Sequence, residues 1–166
     1  MKKVNKQGGF TLIEILVVIG IIAVLAAIVI IAINPAKQFA QARNTQRTSD
    51  VNAILNAIGQ RMADNKGVFA GTFTIGGTPY TCPTLVTDDI DSDTGGSGLN
   101  LECLVPTYIS ALPTDPTWVS GVDILYDVRI DVDCAGTSAP GRISVAAPLA
   151  ANETAVPNPA PICVTR

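Results

Sequence analysis

The chain has 166 residues, 48% of them hydrophobic and 15% charged, with a formal net charge of −3, which is enough for one domain plus one extended element. It contains no histidine, which excludes Ser-His and Cys-His nucleophile pairs and removes the commonest zinc ligand. The acidic balance repels nucleic acid, and the sequence shows no local basic patch to reverse that.

Charge is segregated along the chain. Residues 1–9 carry Lys2, Lys3 and Lys6 and no acid. Residues 34–66 hold five bases against two acids, net +3, and residues 67–166 hold three bases against eleven acids, net −8. Between the basic leader and the stem, Ile15 to Ile33 are nineteen consecutive residues without a polar side chain. As a helix this run is about 28 Å long, close to the thickness of a bilayer's hydrocarbon core. A basic segment before such a run predicts that the N-terminus stays cytoplasmic and the remainder is exported.

The order of signals at the N-terminus is unusual. An ordinary secretory signal places its small-residue cleavage site after the apolar core; here Gly8 and Gly9 precede it. A cut after Gly9 removes the lysines and keeps the helix. The apolar segment also contains a carboxylate, Glu14. An acid costs about 3 kcal/mol at the bilayer centre, less near an interface, so it needs a partner.

Gly9 followed by FTLIEILVVIGIIAVLAAI closely resembles the prepilin signal of type IV pilins and of the pseudopilins of type II secretion. The resemblance is tight over about the first sixty residues and loose beyond them. It implies that a prepilin peptidase cuts after Gly9, that Phe10 becomes an N-methylated first residue, and that Glu14 serves assembly by pairing with the amine of a neighbouring subunit. The implied partners are further copies of the chain, minor pilins, the peptidase and an inner-membrane assembly platform. The implied location is a single pass of the inner membrane with an extracytoplasmic head, then a surface or periplasmic filament. The chemistry agrees, since a new amine on Phe10 and the Glu14 carboxylate stand four residues apart on one helix. One departure is Ile31 where many members have proline at the twenty-second mature residue; Pro35 follows about one turn later. A kink or local melting is expected there.

After Pro35 a helical stem is expected, amphipathic in its second half. Val51, Ile54, Leu55, Ile58 and Met62 follow the i, i+3, i+4, i+7, i+11 pattern. Asn65-Lys66-Gly67 is a stop signal, with Gly67 free to adopt positive φ. The expected segments are a leader (1–9), a transmembrane and filament-core helix (10–34), a stem helix (35–66) and a β-rich head (67–166).

In the head, a hairpin is expected around Gly76-Gly77, a short helix over Leu104 to Ala111, and a strand over Val122 to Val132, where apolar and charged residues alternate. A turn at Ala135 to Thr137 leads to a strand at Arg142 to Ala146, and a last strand is expected at Ile162 to Thr165. Asn152 to Pro161 reads as a Pro-rich loop. The fold class is α+β, one long helix against a small antiparallel sheet.

Cys82, Cys103, Cys134 and Cys163 form no CxxC pair, so zinc and thioredoxin-like sites are unsupported. An even count in an exported domain predicts two disulfides. Of the three pairings, Cys82–Cys103 with Cys134–Cys163 is preferred. The run Asp88 to Gly98 places Asp88, Asp89, Asp91 and Asp93 in the manner of a calcium loop. Counted from Asp89, however, the sixth position is Thr94 rather than Gly and the twelfth is Asn100 rather than Glu. A solvated acidic loop is the competing reading. Calcium is the only cofactor the sequence suggests. Leu112-Pro113-Thr114-Asp115-Pro116 resembles the proline-aspartate loop of the major secretion pseudopilins, and Asn152-Glu153-Thr154 is a glycosylation sequon by pattern.

The expected function is a structural, non-enzymatic filament subunit. The alternatives are the major pseudopilin of a type II secretion system and, in a different class, a membrane-anchored extracellular binding module.

Overall fold

The computed structural model describes residues 9–91 and 96–166. It divides into two units, residues 1–39 and residues 40–166.

In the first unit, Thr11 is extended and caps helix α1 (Leu12–Ile33). At about 1.5 Å per residue α1 is long enough to cross a bilayer, and it is apolar enough to do so. None of its side chains is buried: Leu12, Leu16, Ile22 and Ile30 are all more than half exposed. A helix apolar on every side is stable only within lipid or among other helices. α1 ends at Asn34, which is left-handed (φ 48°), and α2 (Pro35–Asp64) starts on the next residue. The sequence predicts a kink or local melting at Pro35; the structure breaks the helix one residue earlier, at Asn34. Asn34 tolerates αL, and Pro35 is well suited to a first helical position, where its missing N–H costs nothing. The Asn34 side-chain oxygen then accepts the Lys37 N–H at 3.3 Å, so one residue stops one helix and starts the next.

In the second unit α2 buries Val51, Ile54, Leu55 and Ile58 as its periodicity predicts, together with Ala40, Ala57, Arg47 and Arg61. It ends with Lys66 (φ 56°) and Gly67 (φ 89°) left-handed, and the Gly67 N–H closes on the Met62 carbonyl at 2.7 Å. A hairpin follows, β1 (Gly71–Ile75) and β2 (Thr78–Cys82). Its turn is Gly76-Gly77, both at positive φ, the twist that a two-residue hairpin favours. Phe73 stacks on Tyr80 across it at 5.6 Å.

The main sheet has the order β4-β3-β5-β6-β7, formed by β3 (Asp88–Asp91), β4 (Leu99–Asn100), β5 (Asp123–Val132), β6 (Ser138–Ala147) and β7 (Ile162–Thr165). All its pairings are antiparallel except β3 with β4. The inner side of β5 contributes Ile124, Tyr126 and Val128 to one core with α2, joined by Ile90, Leu101, Leu104 and Val145. The register slips between Ile130 and Val132. There Asp131 takes φ 59° and accepts the Gly141 N–H at 2.6 Å, a bulge closed by its own side chain.

Two expectations are corrected. Leu104 to Ala111 is not a helix: a 3₁₀ turn at Glu102–Leu104 ends with Val105 extended. Pro106 has no N–H to donate and disfavours helical φ/ψ at the residue before it. Asp88 to Asp91 is a strand rather than part of a loop, because β5 offers it a ladder: Asp88 pairs with Val128 and Asp89 with Asp127.

Candidate functional site

The Gly9–Phe10 bond lies in exposed, non-helical backbone just before the cap of α1, and Phe10 is 85% exposed. A peptidase needs such unwound backbone. Thr11 and Glu14 form a capping box. One Glu14 carboxylate oxygen accepts both the Thr11 N–H and the Thr11 hydroxyl, each at 2.7 Å, and the Glu14 N–H donates to the Thr11 hydroxyl at 3.3 Å. Glu14 is therefore already held at the positive end of the helix dipole before any cut. Cleavage would add a cation at that same end, one residue before Thr11. The dipole disfavours a cation there, and Glu14 offsets it. This capping role was readable as Thr-x-x-Glu before an apolar run, a signal overshadowed by the carboxylate's other possible partner.

In the head the structure places Cys82 on Cys103 and Cys134 on Cys163. The first bridge joins β2 to the 3₁₀ turn, and the second ties β7 to the chain just after β5.

Of the acidic run, Asp93 lies outside the described residues. Asp88 and Asp89 are exposed and Asp91 is buried. The Asp91 carboxylate accepts the Gly98 N–H at 2.6 Å, and Gly96 and Gly98 approach it so closely that neither has room for a Cβ. Among the described residues no three histidine, cysteine, aspartate or glutamate side chains gather around a common point, so the calcium expectation rests on sequence alone. Asp89 sits opposite Asp127. Burial, with the Asp89 charge in addition, raises the Asp127 carboxyl above its usual range, while Arg129 pulls it back.

Sequence reasoning missed a buried ion network in the head. The Arg47 side chain is 1% exposed. Its Nε donates to Asp115 Oδ2 at 2.6 Å and its Nη2 to Asp115 Oδ1 at 3.0 Å, a bidentate fork. Its Nη1 donates to Glu153 Oε1 at 2.7 Å and to Asn44 Oδ1 at 2.9 Å. Arg43, one turn earlier, closes a second fork on Glu153 at 2.6 and 2.5 Å. Asp115 Oδ1 also accepts the Thr117 N–H and hydroxyl. Two guanidiniums thus face two carboxylates. The Arg43 fork, with Arg47 adding to it, holds Glu153 down to about 2. For Asp115 burial acts to raise the carboxyl, but the hydrogen bonds from Arg47 and Thr117 prevail and hold it below the usual range. Nearby, the Tyr126 hydroxyl donates to Asp50 at 2.8 Å. The network fastens the Asp115 and Glu153 loops to α2. The only hints in the sequence were arginines at i and i+4 on a helix and an aspartate between two prolines; the contacts cross 68 to 110 positions, beyond the reach of local patterning.

Against known families, residues 4–33 match the model described as the prokaryotic N-terminal methylation motif. The chain carries the signature of a prepilin-type signal. The matched stretch covers the end of the leader with Lys6, the Gly9–Phe10 bond, the Thr11–Glu14 cap and all of α1. Comparison with curated proteins and with solved structures gives no match. The prepilin-type signal and the exposed apolar helix behind it fit membrane anchoring before assembly.

Proposed function

We infer that the chain is a structural subunit of a type IV pilus-like filament, cut after Gly9 by a prepilin peptidase and polymerised through α1. The observation that carries this reading is the pairing of a prepilin-type signal with a helix that has no buried side chain and a single acid in its first turn. Such a helix has two stable surroundings, lipid before assembly and other copies of itself afterwards. An assembly platform in the inner membrane and minor pilins are the partners this implies. The pseudopilus of type II secretion is the second reading. It is favoured by the Leu112–Pro116 segment, whose resemblance to the proline-aspartate loop now comes with a fully buried Asp115 forked onto the stem helix.

The test is Glu14→Val in cells that assemble the wild-type chain. Removing the acid makes insertion easier, so the variant should reach the membrane and begin at Phe10 by N-terminal sequencing. The amine then has no anion in a water-poor helix core, which costs about 3–5 kcal/mol, and sheared filaments should be nearly absent. A chain starting after Ala26 or Ala27, or wild-type filament yield from the variant, overturns the reading.

A further inference from the structure

The head presents an apolar tip whose loop is fastened to the middle of α2, and an apolar groove beside its C-terminal part. The tip is Trp118-Val119, in the loop that leads into β5. Val119 is 87% exposed, yet the loop is tightly held. The Trp118 N–H donates to the Asp115 carbonyl at 2.8 Å, its indole N–H to the Asp123 carbonyl at 3.0 Å, and Asp115 is forked onto Arg47. A valine displayed by so constrained a loop brings contact area at little ordering cost. The groove lies between the C-terminal half of α2 and the far ends of β5 and β6. Two adjoining cavities of about 310 and 260 Å³ share Met62, Gly141 and Ile143. Leu85 and Ile130 line one of them, and Gly59 opens the other.

The two features are separated along α2 by the twelve residues from Arg47 to Gly59, about 18 Å at 1.5 Å per residue. Their charges are complementary. Arg142 and Arg166 line the groove against one acid, Asp131. From Leu112 to Val128 the tip and its flanks carry Asp115, Asp123 and Asp127 and no base; Asp115 is taken up by Arg47, which leaves Asp123 beside the tip. The occupant that matches this groove in apolar character and charge is therefore the tip of a second copy.

We propose that heads join head to tail, the Trp118-Val119 tip of one subunit seated in the Met62–Ile143 groove of the next. The contact is heterologous: a subunit whose tip is engaged still offers an empty groove, so the chain of contacts does not close on two copies and can extend into a filament. This deepens the filament reading and rests on it.

Two substitutions test it in the full chain. Val119→Asp puts a charge on the tip. Gly59→Leu fills the groove, where a Cβ meets nothing within 4 Å. It also replaces a helix glycine, so the fold should be no less stable. Each should lower sheared filament yield by about tenfold or more, as loss of a central contact does, with membrane level and melting temperature held or raised. A double variant, Val119→Cys with Gly59→Cys, should form a ladder of oligomers on oxidation, resolved on a non-reducing gel and lost on reduction. Wild-type filament yield from both single variants overturns the contact and leaves the filament reading standing. So does a cross-link that stops at a dimer, or that joins a different protein. Failure of the unmodified chain to form filaments removes both.

Discussion

Asp115→Ala isolates the buried ion network. Its side chain is fully buried and accepts four hydrogen bonds, two from Arg47 and two from Thr117. Truncation leaves the Arg47 guanidinium, itself 1% exposed, with Nε and Nη2 deprived of these acceptors in a site closed to water. Removing one member of a buried pair costs about 3–5 kcal/mol, and the bidentate geometry argues for the upper half of that range. Against a total stability of about 5–15 kcal/mol for a domain, the variant should lose about a quarter or more of its margin. At about 3–5 °C per kcal/mol for a head of this size, the melting temperature should fall by about 12–25 °C. Urea unfolding of the detergent-solubilised chain, followed by Trp118 fluorescence, reads this directly: the chain has one tryptophan, and it sits on the Asp115 turn. Arg47→Met with Asp115→Leu, which removes both partners and keeps apolar volume, should recover much of the loss relative to Asp115→Ala. A loss below about 1 kcal/mol would mean the pair is solvated, as surface pairs are, and would refute the clamp.

The same network sets an acid limit. The Glu153 carboxyl is held down from 4.5 to about 2 and Asp115 is lowered too. Their contribution is therefore complete above the unfolded values and is lost as pH falls through the folded ones. Melting temperature should drop between pH 4.5 and about 2, and Glu153→Gln should flatten that slope. Asp127 behaves in the opposite sense. Its carboxyl is raised, so the charged form burdens the fold, and Asp127→Asn should raise the melting temperature at neutral pH; a fall would show that the Arg129 contact outweighs Asp89. Replacing Cys134 and Cys163 together by serine should cost about 3–4 kcal/mol in the chain-entropy model for a loop of this length, measured by urea unfolding; no loss would remove the bridge's stabilising role.

The N-terminal half of the architecture was legible because its information is local. The leader, Gly9, Phe10, Glu14 and the apolar run are adjacent in sequence, and the burial of Val51, Ile54, Leu55 and Ile58 follows from a 3.6-residue period. The Gly76-Gly77 hairpin and β7 were readable for the same reason, since turn residues and alternation act over a few positions. Local rules failed where two local signals competed. Pro106 outweighed the apolar pattern of residues 104–111.

Sequence alone determined that the chain has a prepilin-type signal with a long apolar helix, an amphipathic stem and an acidic head with four cysteines, because composition and periodicity are properties of short windows. Tertiary structure alone decided that Asp88 to Asp91 is a strand, since its backbone is satisfied by ladders to β5 and β4 that come from elsewhere in the chain. It also decided that Arg43 and Arg47, solvated charges by any sequence rule, are forked onto carboxylates. Taking a guanidinium out of water is costly unless its partners arrive in the same place, and Asp115 and Glu153 come from loops far along the chain. Only the folded sheet brings those loops to α2, and in doing so it holds Trp118 and Val119 at the surface.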